Sequence, residues 1–141
     1  MTGEFIVAVH SLVYLKHHDY KVSSEELADN VCTNPARIRK VMGKLCKANL
    51  VVGHAGVIGG YELADPSGEI TLLDTFDAVG SHVIKQPWRS GDVDKDCQIS
   101  SGIAAVMDEM FEGMDQECRQ YLAKITISMV ENRLFEATNN Q

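Results

Sequence analysis

The sequence predicts a mostly α-helical fold, a winged helix-turn-helix with a small β-hairpin wing, followed by a long C-terminal dimerisation helix. Three observations carry this. Two capped helices are joined by a tight turn, and the second is basic and amphipathic. A glycine-rich hairpin pattern follows it directly. Last comes an apolar stripe of helical period too long for the chain to cover by itself.

The elements follow in order. Phe5, Ile6, Val9, Leu12 and Val13 mark one face of a first helix over about residues 3–16. Ser23 with Glu26 has the spacing of a capping box and opens a short helix over 24–31, with Leu27, Ala28 and Val31 inward. Asn34 as N-cap and Pro35 at the first helical position, where no N–H is needed, start a third helix. Ile38, Val41, Met42 and Leu45 recur at helical spacing, and the helix ends near Ala48 and Asn49. Burying those four turns Arg37, Lys40, Lys44 and Lys47 to the other side. Leu50-Val51-Val52 and Tyr61-Glu62-Leu63 read as strands around a turn containing His54, Gly56, Gly59 and Gly60, the pattern of a wing. These glycines do not form a phosphate loop, because no Lys-Ser pair and no helix follows them. Thr71 with Asp74 opens a fourth helix that turns Leu72, Leu73, Phe76 and Val79 inward. The period is lost over 85–100, an irregular loop.

From Ser101 to about Ala137 the period returns as one helix. Its stripe includes Ile103, Val106, Met110, Phe111, Met114, Tyr121, Leu122, Ile125 and Met129. Such a helix is roughly 55 Å long, against about 30 Å for a domain of this size. A second subunit must cover its far end, and a twofold homodimer is the commonest solution. The expected interface is Ile103, Met110, Met114, Tyr121 and Ile125. The chain divides into a DNA-binding head over 1–80, a sensor or linker loop over 81–100 and a dimerisation helix over 101–141.

Composition narrows the function. Of 141 residues, 45% are hydrophobic, enough to bury a core. The net charge of −7 hides an asymmetry. Residues 30–61 hold five basic residues and no acid, leaving eight basic and all twenty acidic residues elsewhere. A basic segment on an acidic body is an electrostatic footprint for a phosphate backbone. The start lacks the basic residues of a signal peptide, and the apolar run from Phe5 to Leu15 is too short to cross a bilayer, so a cytoplasmic protein with no membrane partner is expected. Cys32, Cys46, Cys97 and Cys118 lie far apart with no C-x-x-C, which argues against structural zinc and for free thiols. No Ser-His-Asp order, HExxH, P-loop or carboxylate pair stands out, so no enzyme is expected. The five histidines are scattered, and His10 sits beside core positions as a structural residue.

Across nearly its whole length the chain resembles the Rrf-two (Rrf2) family of bacterial winged-helix regulators. The likeness rests on Ala8-Val9-His10, Ser24-Glu25-Glu26-Leu27-Ala28, Thr33-Asn34-Pro35, Gly59-Gly60-Tyr61 and Ile70-Thr71-Leu72-Leu73. It departs in two places. Cluster-binding members hold three closely spaced cysteines before the long helix, whereas this loop holds only Cys97. With Asp92, Asp94 and Asp96 as neighbours it is a poor substitute for about four ligands, usually thiolates, so no cluster and no other cofactor is expected. The family wing often carries an arginine before its glycines; Ala55 and Val57 stand there, which argues against base reading by the wing.

The resemblance implies a dimeric repressor that reads a palindromic operator in double-stranded DNA. Thr33, Asn34, Pro35, Arg37, Lys40 and Lys44 are its expected groove-facing residues, with His54, Gly59 and Gly60 beside the backbone. The signal is open between a small molecule, a partner protein and an oxidant, and a protein-interaction module that has lost DNA binding is the rival reading. For the oxidant, the family's dimer brings the loop of one subunit against the head of the other. Cys97 and Cys32 are then expected to form a switch between subunits, with the amides of the third helix and Arg37 favouring the Cys32 thiolate.

Overall fold

The protein is described from a computed structural model covering residues 3–80, 82–84 and 88–139, with side chains through residue 136. The start of the expected irregular loop, at Lys85, Gln86 and Pro87, lies outside the described residues. The elements are α1 (Gly3–His17), α2 (Ser24–Val31), α3 (Pro35–Lys47), β1 (Val51–His54), β2 (Gly60–Leu63), α4 (Leu72–Val79), α5 (Gln98–Ala123) and α6 (Ile127–Asn139).

The head forms around α1. Its Ala8 and Leu12 are fully buried, as are Leu27 of α2 and Ile38, Val41, Met42 and Leu45 of α3. Each large side chain so buried contributes about 1.5–3 kcal/mol, and together they lock three helices into one unit. Phe5 of α1 meets Phe76 of α4 edge to face, centroids 5.6 Å apart. Ser11 is buried among them with a hydroxyl that finds no partner among the described residues.

The local chemistry explains the element ends. Ser23 caps α2 by accepting from the Glu26 N–H at 3.1 Å. The reciprocal half of the expected capping box is absent. Glu26 instead accepts from the hydroxyls of Tyr14 and Tyr20, at 2.7 and 2.8 Å, tying α2 to the α1 end. Asn34 caps α3 through the Arg37 N–H at 2.8 Å. Thr71 and Asp74 form the full box at α4. Between α2 and α3 the chain turns on Cys32 in left-handed geometry, φ 64°.

Strands β1 and β2 pair antiparallel, Val51 opposite Leu63 and His54 opposite Gly60. Val22 adds a bridge on the far side, donating to the Tyr61 carbonyl at 3.0 Å and accepting the Tyr61 N–H at 2.8 Å. Gly60, at φ +148°, lets this happen, since a Cβ there would sit 2.7 Å from the Val22 carbonyl oxygen.

The long C-terminal helix is present as α5, but it does not run unbroken to about Ala137. It stops at Ala123, and the chain resumes as α6 after a three-residue break at Lys124, Ile125 and Thr126. The cause is a backbone bridge. Leu72 N–H donates to the Ile125 carbonyl and Ile127 N–H to the Ile70 carbonyl, both at 2.8 Å. The β-branched pair Ile125-Thr126 favours this extended geometry. Thr126 then caps α6, its Oγ1 accepting the Met129 N–H at 3.1 Å. Helix α6 folds back along α1, where His17 stacks on Phe135 at 4.4 Å and its Nδ1 lies 3.3 Å from Glu131. At the other end α5 begins at Gln98, three residues before the expected start.

Thr126→Ala removes the α6 cap and should lower unfolding free energy by about 1 kcal/mol. Urea unfolding followed by circular dichroism checks this, and an unchanged midpoint would show that the cap carries no weight.

Candidate nucleic-acid interface

Helix α3 has a closed face and an open one. With Ile38, Val41, Met42 and Leu45 in the core, Arg37, Arg39, Lys40 and Lys47 are exposed. Thr33 and Pro35 are half-buried at the helix start, and Asn34 is exposed there with its Oδ1 committed to the cap. Among the described residues no ion pair engages Arg37 or Lys47. Arg39 reaches Glu25 only loosely, at 3.9 Å. The Arg37 guanidinium lies over Gly3, where a Cβ would collide with it.

Lys40 and Lys44 carry a contact that the expectation did not include. Both are held by Glu4 of α1, Lys44 at 2.6 Å and Lys40 at 3.1 Å. Lys40 remains two-thirds exposed. Lys44 is 36% exposed and also donates to the Val79 carbonyl at 3.4 Å, at the negative end of α4. Lys44 therefore turns toward the α1–α4 side, because Glu4 and that carbonyl draw it in. The sequence gives no sign of Glu4, an ordinary first-turn acid forty positions from its partner. Hydrogen bonds from Lys44 and then Lys40 hold its carboxyl below the usual carboxylate range.

The wing stands beside α3. Its His54 Nε2 meets Glu62 Oε1 at 2.8 Å, so the imidazole is already engaged. Gly59 fills a spot where a Cβ would meet the His54 carbonyl. The tip exposes Val57 and Ile58 completely and carries no cation.

The thiols also redistribute. Cys32 is exposed, and its Sγ–H points to the Asp29 and Asn30 carbonyls, at 3.7 and 3.9 Å. These carbonyls, rather than the α3 amides, are its neighbours. The amide-rich setting belongs to Cys97, exposed at the start of α5, where the backbone N–H groups of Ser100 and Ile99 lower its pKa. Cys46 is half-buried, and desolvation raises its pKa. His10 binds Asn30 Oδ1 at 2.8 Å, a structural contact between α1 and α2.

The clamp has a pH signature. Glu4 has a folded pKa below its unfolded value near 4.5. Its stabilisation is therefore full above that pH and is lost as pH falls through the folded value. In Glu4→Gln, thermal midpoints between pH 5 and 3 should fall less steeply than in the parent. Parallel curves would contradict the clamp.

The family model for Rrf2, described as iron-dependent transcriptional regulators, matches residues 1–133. YwnA of Bacillus subtilis (strain 168), named as an HTH-type transcriptional regulator, is 33% identical over 140 residues, covering 96% of this chain and 99% of that protein. A crystal structure of a transcriptional regulator from Lactobacillus plantarum superposes with a TM-score of 0.81 at 30% identity, over 95% of this chain and 91% of that one. IscR of T. potens shares the fold, with a TM-score of 0.72 at 19% identity over 97% and 89% of the two chains.

The family description names iron, and the donors here do not fit an iron–sulfur cluster. Cys97 is the sole thiol of its loop and takes backbone amides. Among the described residues no three His, Cys, Asp or Glu side chains gather to hold a metal ion. Nor, among those residues, is any helix long and apolar enough to cross a membrane. With a basic helix on a winged scaffold and a family match over nearly its full length, the chain belongs to the Rrf2 family of DNA-binding transcriptional regulators and is not an enzyme.

Proposed function

We propose that this regulator is a cytoplasmic homodimeric repressor that reads a palindromic operator through α3 in the major groove. The carrying observation is the open face of α3, where Arg37, Arg39, Lys40 and Lys47 stand clear of the core. Thr33, Asn34 and Pro35 lead that helix toward the bases, and the wing residues His54, Gly59 and Gly60 run beside the phosphates. Lys44 supports the face from behind through Glu4. In a twofold dimer the two α3 helices must sit one helical turn of DNA apart, roughly 34 Å.

The signal in this reading is an oxidant acting on Cys97 and Cys32 of opposite subunits. Both thiols are exposed, and the first-turn amides of α5 lower the pKa of Cys97. The Cys97 thiolate attacks hydrogen peroxide, gaining one oxygen as a sulfenic acid and releasing hydroxide, which takes up a proton. The Cys32 thiol then displaces water to form the disulfide. Two thiols are oxidised, and one peroxide is reduced to two waters. Joining that loop to the α2–α3 turn would shift the recognition helices off their spacing.

Two measurements test this. Genomic fragments enriched by the protein supply the operator, and its affinity is followed against salt. Arg37→Ala with Lys40→Ala should lower the slope of log K against log salt by roughly two units; unchanged affinity and slope would refute the groove assignment. For the switch, mild peroxide should give a covalent dimer on a non-reducing gel that disappears in Cys32→Ser and in Cys97→Ser. A monomer band with undiminished DNA binding would refute it.

A further inference from the structure

The basic stretch over residues 30–61 contains no acid of its own. A carboxylate is nevertheless brought up to its open face from another helix. Glu4, in the first turn of α1, lies 2.6 Å from Lys44 and 3.1 Å from Lys40, and its side chain is 19% exposed. The Arg37 guanidinium covers Gly3 beside it, so the start of α1 runs along the edge of that face. Two lysines share one carboxylate, and the group carries a net charge of +1 instead of +2. Hydrogen bonds from Lys44 and then Lys40 hold the Glu4 carboxyl below the usual carboxylate range, so it stays charged at neutral pH.

The sharing is unequal. Lys44 is 36% exposed and has a second acceptor in the Val79 carbonyl at 3.4 Å. Lys40 is 66% exposed, and Glu4 is its one ion-pair partner among the described residues. Lys40 can therefore leave while Lys44 stays. When it leaves, Lys44 still neutralises Glu4, and no bare carboxylate faces the DNA.

Magnitudes decide when Lys40 leaves. A phosphate contact that releases one counterion strengthens binding roughly fivefold at 0.15 M salt. An exposed ion pair is worth up to about the same factor. On random sequence the phosphates hold the protein loosely, the exchange brings no advantage, and Lys40 remains on Glu4. On an operator, the base contacts of α3 fix a phosphate against the helix. The exchange then becomes intramolecular, at high effective concentration, and Lys40 moves across.

We propose that Glu4 is a positioning residue for sequence discrimination: it keeps Lys40 from the phosphates of non-specific DNA and releases it only when α3 is seated on its operator. This rests on the α3 reading above and adds to it a source of specificity that touches no base.

Salt titrations of the full chain on two duplexes of equal length, the enriched operator and a random sequence, test the exchange. Lys40→Gln should lower the slope of log K against log salt by about one unit on the operator and by clearly less on random sequence. Glu4→Gln should raise the random-sequence slope by about one unit and the affinity there about fivefold at 0.15 M salt, with a smaller change of slope on the operator. Adding Lys40→Gln to Glu4→Gln should cancel that rise. A purely structural role for Glu4 would weaken binding to both duplexes without moving their slopes apart. Equal slope changes on the two duplexes in Lys40→Gln, or a parental random-sequence slope in Glu4→Gln, would overturn the proposal. Circular dichroism checks the fold of Glu4→Gln. If that variant is unfolded, Lys40→Gln, which keeps the Glu4–Lys44 pair, decides alone. Arg37→Ala separates the two levels. If it fails to lower the operator slope, the α3 reading itself falls. If it lowers that slope while Lys40→Gln acts equally on both duplexes, only the role of Glu4 falls.

Discussion

One constraint organises the molecule: α3 has a single face that can be buried. Ile38, Val41, Met42 and Leu45 leave solvent completely, packed against α1 and its neighbours. At about 1.5–3 kcal/mol each, no surface charge effect competes with them. The direction of Arg37, Arg39, Lys40 and Lys47 is thus a by-product of packing. The Asn34 cap sets where the helix starts, so the same packing fixes which residues stand at its leading end. Glu4 trims the result, drawing Lys44 inward and leaving Lys40 mostly in water.

A second constraint joins the head to the C-terminal helices. The backbone bridge of Ile70 and Leu72 with Ile125 and Ile127 fastens the junction of α5 and α6 to the start of α4. Arg119 on Asp77 adds a second fastening about one and a half turns away. In the proposed homodimer, a change in how α5 is held would therefore reach α4 directly, and through Val79 and Lys44 it would reach α3. For a regulator this is a short mechanical path from assembly to recognition, made of packed elements rather than flexible loops.

The head was legible in the sequence because its signals are local. Caps at Ser23, Asn34 and Thr71, the spacing of the α3 core residues and the glycines of the wing all act within a few residues. What was hidden acts over distance. Glu4 meets Lys44 across forty positions, and nothing in either neighbourhood announces it. The break in the C-terminal helix is half visible, since Ile125-Thr126-Ile127 is a β-branched run with a capping threonine. The apolar period continues through it, however, and outweighs it on paper; the isolated bridge to the Ile70–Leu72 segment decides the matter. Cys32 misleads for a similar reason: proximity to α3 in sequence implies its amides, while the left-handed turn points the thiol at the carbonyls of α2.

The account stands on α3 being the element that meets DNA. Backbone amide shifts of the labelled protein, recorded while an enriched operator duplex is added, test that most directly. Changes should concentrate over Thr33–Lys47 and the wing from His54 to Gly60, and the buried positions of α1 and α4 should hardly move. Shifts confined to α5 and α6, with α3 silent at saturating duplex, would contradict it.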